Sequence, residues 1–172
     1  MHFFPGKKNK TNKEAIEQII LDKYNQYYRL AYSYVHNEAD AGDIVQNGAY
    51  KAIRSSHTLK NMEYAETWVY RIMLNECFRY LGQPKTVSYE LLQEEKGFEL
   101  GSTEDKYRDI DLWRALEILS DKDKAIIIMK YFEDKKLEEI AEVLEENLST
   151  VKSRLYRSIK KLQEILSDDT EK

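Results

Sequence analysis

The sequence predicts an all-α protein: two small helical domains joined by a flexible acidic linker, the second a four-helix domain ending in a helix-turn-helix. Three observations predict it. Apolar residues recur at i, i+3, i+4 and i+7 along most of the chain, the period of a helix with one buried face. Only six Gly and two Pro punctuate 172 residues, too few for a sheet-and-turn protein. The stretch 83–106 lacks the helical period and carries Glu90, Glu94, Glu95, Glu99, Glu104 and Asp105. So long an unpatterned segment is unusual inside one compact domain and reads as a linker. The boundaries that follow are a basic tail over 1–12, a first domain over 13–82, the linker over 83–106 and a second domain over 107–168.

In the first domain the spacing predicts a helix from about Asn12 to Val35, with Ile16, Ile19, Ile20, Lys23, Tyr27, Leu30, Ala31 and Tyr34 as its inner face. The cluster Tyr24, Tyr27, Tyr28, Tyr32 and Tyr34 reads as core and interface rather than a stacking platform. Asn37 can cap a second helix, with Asp40 favourable near its positive end. That helix runs to about Arg54 and buries Ala41, Ile44, Val45, Gly48, Ala52 and Ile53. Asp40, Asp43, Gln46 and Asn47 share another side, which is either a solvated face or a docking surface for a basic helix of a partner. Ser55 to Glu63 is a polar loop. A third helix covers about Tyr64 to Leu81 and stops at Gly82-Gln83-Pro84. On it Trp68, Ile72 and Leu74 are apolar, and Arg71, Asn75 and Arg79 line up at i, i+4 and i+8. Trp68, Tyr70, Phe78 and Tyr80 are interleaved with them. Aromatics beside Arg and Asn suit unstacked bases, although buried core accounts for most of these rings.

The second domain begins near Tyr107 with an amphipathic helix carrying Ile110, Trp113, Leu116 and Leu119. Ser120-Asp121-Lys122-Asp123 is a helix-start signal. The helix it opens carries Ala125, Ile126, Ile127, Ile128, Met129, Tyr131 and Phe132, and Glu133 to Lys136 is a charged turn. Leu137, Ile140, Ala141 and Leu144 then form the stripe of a short helix. The turn Glu145-Glu146-Asn147 ends with a natural N-cap. In the last helix Leu148, Val151, Leu155, Ile159, Leu162 and Leu166 point one way. Ser149, Thr150, Lys152, Ser153, Arg154, Arg157, Lys160 and Lys161 point the other, with no acid between Asn147 and Gln163. A short helix, a turn and a helix with a cationic, hydroxyl-rich outer face has the form of a helix-turn-helix, whose second helix fits a DNA major groove. The tail Ser167 to Lys172 is expected to fray.

Composition narrows the function. The hydrophobic share is 42%, enough for packed cores, yet the formal net charge is −4. A free-standing DNA binder is usually basic as a whole. An acidic chain with local cationic charge suits a protein that touches DNA while something larger holds it there. Cys77, the one cysteine, allows no internal disulfide and fits a reducing compartment, the cytoplasm. No apolar run of membrane-spanning length exists, and MHFFPGKKNKTNK has no signal-peptide core, so the chain is not expected to be membrane-inserted. His2, His36 and His57 are scattered and lack metal-ligand spacing with Cys77. No phosphate-cradling loop or nucleophile triad stands out, so no catalytic residue, metal, cofactor or small-molecule substrate is expected.

Three motifs resemble the extracytoplasmic-function class of bacterial sigma factors, the small subunits that direct RNA polymerase to promoters. They are Asp40-Ala41-Gly42-Asp43-Ile44-Val45-Gln46, then Thr67-Trp68-Val69-Tyr70-Arg71-Ile72 with Asn75, and last Glu138-Glu139-Ile140-Ala141 followed by Thr150-Val151-Lys152-Ser153-Arg154-Leu155. The resemblance implies a sigma region 2 domain over 13–82 and a region 4 domain over 107–168. It implies docking of Asp40, Asp43, Ile44, Gln46 and Asn47 on core RNA polymerase. It implies minus-ten DNA contacts through Asn61, Trp68, Arg71, Asn75 and Arg79, with capture of a flipped base. It implies minus-thirty-five contacts through Ser149, Thr150, Lys152, Ser153, Arg154 and Arg157. Arg154 is the leading candidate for a base and Lys152 and Arg157 for phosphates. The linker would thread the polymerase cleft, and an anti-sigma protein would be the regulator. Three departures stand out. Asn47 replaces an acid, Glu145-Glu146-Asn147 replaces a Gly-Ile-Ser type turn and so weakens nonspecific DNA binding, and Arg79-Tyr80-Leu81-Gly82 is poor in basic residues. Two other readings stay open on the residues alone: an independent helix-turn-helix regulator that binds duplex DNA as a dimer, and a helical adaptor that binds only protein.

Overall fold

The computed structural model describes residues 10–83 and 112–170, all in helices, turns and loops. The expected linker, the start of the second domain at Tyr107 and Ile110, and most of the basic tail lie outside these residues. The chain divides into two compact units, Met1–Tyr80 and Leu81–Lys172.

In the first unit, α1 (Asn12–Asp22) starts at Thr11, whose hydroxyl accepts from the Glu14 amide at 3.3 Å. The predicted single helix to Val35 is instead two, α1 and α2 (Tyr24–Val35), separated by Lys23. Lys23 has φ −110° and ψ 14°, outside the helical well, although its amide still reaches the Ile19 carbonyl at 3.0 Å. The break lets each half follow its own packing: Ile16 and Ile20 are buried on α1, and Tyr27, Leu30, Ala31 and Tyr34 on α2. Ile19 and Lys23 are only half-buried.

Both halves pack on α3 (Glu38–Arg54). The Asn37 side chain accepts from the Asp40 amide at 2.9 Å, as the cap reading requires. Ala41, Ile44, Val45, Gly48 and Ala52 face inward. Gly48 is a close-approach position: a Cβ there would lie 2.4 Å from the sulfur of buried Met73 on α4 (Ala65–Leu81). The polar loop between α3 and α4 contains two 3₁₀ turns, Ser56–Thr58 and Met62–Tyr64. Asn12 clamps it from α1, its Nδ2 donating to the Ser56 and Leu59 carbonyls at 3.3 and 3.1 Å. Cys77 is fully buried on α4, and that burial pushes its thiol pKa up to about 12.

In the second unit the helical residues 112–116, labelled α5, contribute buried Ala115 and Leu116. Trp113 stacks on Phe132 with ring centroids 5.3 Å apart. Helix α6 (Asp121–Ile127) is capped by Ser120, whose hydroxyl accepts from the Asp123 amide at 3.2 Å. The predicted plain helix then widens into a π-helical segment, Ile128–Phe132. The Glu133 amide bonds the carbonyl five residues back, at Ile128. Helix α7 (Leu137–Leu144) buries Ile140, Ala141 and also Val143, while Leu137 and Leu144 are half-buried. Glu145 leaves it in the left-handed region at φ 54°, where glycine is the usual residue. Helix α8 (Leu148–Thr170) packs on α6 and α7 through Val151, Leu155 and Leu162. It continues past the expected fraying point at Ser167, whose hydroxyl donates back to the Glu164 carbonyl at 3.1 Å.

Candidate functional site

Helix α3 presents Asp43, Gln46 and Asn47 exposed on its outer side. Asp40 is half-buried because Tyr80 reaches it. Burial and a hydrogen bond donated to Asp40, with Asp43 adding negative charge nearby, push the Tyr80 pKa up to about 12. Ile44 departs from its assigned place. It is 2% exposed and belongs to the core, on the side of α3 that it shares with Ala41, Val45 and Gly48; Asp40 borders that side and Asp43 faces away from it. It supports that surface from beneath.

The loop and α4 bring the second group together. Asn61 is exposed, and its side-chain oxygen accepts from the Glu63 amide at 3.0 Å, fixing the second 3₁₀ turn. Trp68 and Arg71 are half-buried, and Asn75 and Arg79 exposed, along one side of α4. The interleaved rings divide as the spacing suggests: Tyr70 is core, packed edge-on against Tyr27, and Phe78 packs edge-on against Tyr34.

Arg79 does not stand alone. Its Nε and Nη2 donate to Glu76 Oε2 at 3.0 and 2.8 Å, and Lys51 Nζ of α3 donates to Glu76 Oε1. Glu76 is only 3% exposed. Burial pushes its pKa up, but the hydrogen bonds and charges of Arg79 and Lys51 outweigh that and hold it below the usual carboxylate range. Nothing in the local pattern marks Lys51 or Glu76, since the two meet across 25 positions of sequence.

On α8, Ser149, Lys152, Ser153 and Arg157 are exposed and Thr150 is half-buried. Arg154 behaves differently. Its side chain is 27% exposed, with Nη1 donating to Asp123 Oδ1 at 2.9 Å. Its Nε lies 3.2 Å from Glu146 Oε2, an approach of charges without hydrogen-bond alignment. The bond to Asp123, against some desolvation, raises the Arg154 pKa further. Lys122 closes the cluster by donating to Glu146 Oε1 at 2.8 Å. Arg154 therefore ties the start of α6 and the turn to α8. Glu146, expected to repel DNA, is held inside the same cluster with its side chain 14% exposed. The sequence reading passed over Tyr156, 68% exposed beside Lys152, Ser153 and Arg157. Its position on the helix wheel, one turn after Lys152 and away from the Val151–Leu155–Leu162 side, is the signal that identifies it.

Among the described residues no group of three or more His, Cys, Asp or Glu is placed to hold a metal ion, and no helix is long and apolar enough to cross a membrane.

A helical unit with a polar, acidic helix face and an aromatic-basic helix, followed by a helix-turn-helix unit, defines a promoter-recognition protein of the sigma type. The family description Sigma-70 region 2 matches residues 20–85, and Sigma-70, region 4 matches residues 109–162. The chain is 43% identical over 154 residues to RNA polymerase sigma factor SigV of Bacillus subtilis, covering 90% of this chain and 92% of that protein. It is 27% identical over 175 residues to ECF RNA polymerase sigma factor SigW of the same organism, covering 92% of each. Two solved structures share the fold. One is the sigma factor RpoE in complex with the anti-sigma factor NepR from Bartonella quintana, with TM-score 0.66, 23% identity, and 88% of this chain and 96% of that one covered. The other is CnrH in complex with the cytosolic domain of CnrY, with TM-score 0.65, 18% identity, and 93% and 99% covered. The chain belongs to the extracytoplasmic-function sigma factors. It is an alternative sigma factor that directs transcription initiation, and the independent dimeric regulator is not favoured.

Proposed function

We propose that the chain carries out this role through three surfaces. The region 2 domain, 13–82, docks on core RNA polymerase with Asp40, Asp43, Gln46 and Asn47 of α3, seated on Ile44. The same domain takes the minus-ten element with Asn61, Trp68, Arg71, Asn75 and Arg79. Trp68 stacks on or borders a captured base, and the polar and basic side chains hold the melted strand. The region 4 domain, 107–168, reads the minus-thirty-five element with Ser149, Thr150, Lys152, Ser153, Tyr156 and Arg157 of α8. Arg154, bound to Asp123 and Glu146, sets the angle of that helix. The linker, 83–106, crosses the polymerase between the two.

The observation that carries this reading is the outer face of α8. Hydroxyls, cations and one ring stand exposed there, with no acid from Leu148 to Gln163. Such a face suits a major groove, where hydroxyls and rings meet base edges and cations meet phosphates. The chain has no catalytic activity of its own in this scheme, acts in the cytoplasm and needs no cofactor. Its regulator is an anti-sigma protein, a reading supported by the fold shared with the sigma factor RpoE, which is bound by the anti-sigma factor NepR.

The test is a promoter-binding series with the assembled holoenzyme. Lys152→Ala with Arg157→Ala should weaken binding to a promoter with both elements. It should not change binding to a fragment ending downstream of the minus-thirty-five element. Equal loss on both fragments would remove α8 from the upstream contact.

A further inference from the structure

We propose that Glu76 is a positioning residue that holds Lys51 and Arg79 as a two-pronged clamp for one phosphate of the promoter DNA. The proposal rests on the assignment of α4 to the minus-ten region. Glu76 comes from α4, is buried, and has both oxygens engaged: Oε2 by Arg79 at 3.0 and 2.8 Å, Oε1 by Lys51. The two cations come from different helices, yet one carboxylate fixes them side by side. Their side chains keep 45% and 49% of their surface in solvent. Arg carries five N–H donors and Lys three, and Glu76 takes only a minority of them. The rest remain for a ligand.

The ligand chemistry follows from the charge. Two cations around one buried anion leave a net positive, multi-donor site at the surface. An oxygen-rich monoanion matches it, and a phosphodiester has the right charge and acceptors. Arg79 continues the line of Arg71 and Asn75 along α4, so the strand that those residues would meet passes the clamp. A carboxylate of the polymerase is the competing ligand. The alignment of Arg79 with Arg71 and Asn75 along α4 favours the DNA strand over it. Preorganisation is the gain. Free Lys and Arg side chains lose rotamer freedom when they grip a phosphate, and a buried carboxylate has already restricted them.

This account and simple charge counting predict opposite signs. Glu76→Gln makes the site more positive, so counting predicts tighter DNA binding. Loss of positioning predicts weaker binding, because the amide keeps one acceptor oxygen and no charge and cannot hold both cations.

The experiment measures affinity of the assembled holoenzyme for a forked promoter probe against salt concentration. Single phosphates are replaced in turn by neutral methylphosphonates. The expected result has three parts. Lys51→Ala with Arg79→Ala weakens binding about tenfold and lowers the salt slope by about one, since one neutralised phosphate releases roughly one counterion. Glu76→Gln weakens binding by a similar factor. One methylphosphonate position weakens the wild type and leaves the double variant unaffected. The proposal is overturned if Glu76→Gln binds as tightly or more tightly, or if no phosphate position couples to the pair. It is also overturned if Lys51→Ala with Arg79→Ala loses affinity for core polymerase and not for the probe. Lys51 and Arg79 lie at the surface, so their variants test the clamp even if Glu76→Gln fails to fold. Arg71→Ala with Asn75→Ala separates the two levels. If it leaves the probe unaffected too, the assignment of α4 fails. If it alone weakens binding, only the clamp fails.

Discussion

Two arginines that look alike in the sequence do different work. Arg157 stands exposed on α8, whereas Arg154 is bound to Asp123 and Glu146. No local pattern separates them, because Asp123 lies 31 positions earlier on another helix. Removing a partly buried, doubly paired guanidinium should destabilise the second unit by about 1.5–3 kcal/mol, the range for hydrogen bonds to charged groups. Arg154→Ala is therefore expected to lower the denaturation midpoint. Lys152→Ala should leave the midpoint unchanged and weaken only promoter binding. Urea denaturation of both variants checks the contrast, and equal midpoints would return Arg154 to the DNA face. Glu145 is a second case. It holds φ 54°, a conformation that L residues adopt at a cost of roughly 1–2 kcal/mol. Glu145→Gly should raise stability by about 0.5–1 kcal/mol, less than the relieved strain because Gly gains freedom in the unfolded chain. Glu76 adds a pH dependence. Its folded pKa lies below the ordinary value, so its contribution is fully present above the unfolded carboxylate pKa and is lost as pH falls through the folded one. The stability gap between wild type and Glu76→Gln should stay constant from neutral pH to about pH 5 and close in stronger acid.

At the scale of elements, the apolar period made most helices legible, because one face of each is buried on a neighbour. The breaks were not legible. Lys23 sits inside a continuous apolar pattern, and α1 and α2 separate there only because each packs on α3 in its own way. The π-helical widening at Ile128–Phe132 falls in an apolar run whose period is ambiguous, so nothing marked the extra residue. Ile44 is the converse case within the site: the motif groups it with Asp43, but the apolar period already places it inward, and it is buried while Asp43 is exposed. The contact of Gly48 with Met73 gives an element-scale prediction. Gly48→Val should destabilise the first unit by about 1–3 kcal/mol through overpacking, with Met73→Ala partly restoring it. Cys77 reports on the same packing. Buried, with its thiol pKa pushed up to about 12, it should resist alkylation at neutral pH in the folded chain and react when the first unit unfolds.

At the scale of the whole molecule, the charge balance explains the division of labour. The chain carries 31 acids against 27 Lys and Arg, and among the described helices only on α8 do several cations, Lys152, Arg154, Arg157, Lys160 and Lys161, follow one another without an acid between them. Phosphate neutralisation alone gives such a molecule little grip on DNA, so polymerase supplies the attachment and the chain supplies the choice of sequence. The most direct measurement is run-off transcription with purified chain, core polymerase and a template carrying its cognate promoter beside an unrelated one. The account predicts discrete transcripts from the cognate promoter only when the chain is present, and their loss with Asp43→Arg. Equal transcription with and without the chain, or full activity of Asp43→Arg, would contradict it.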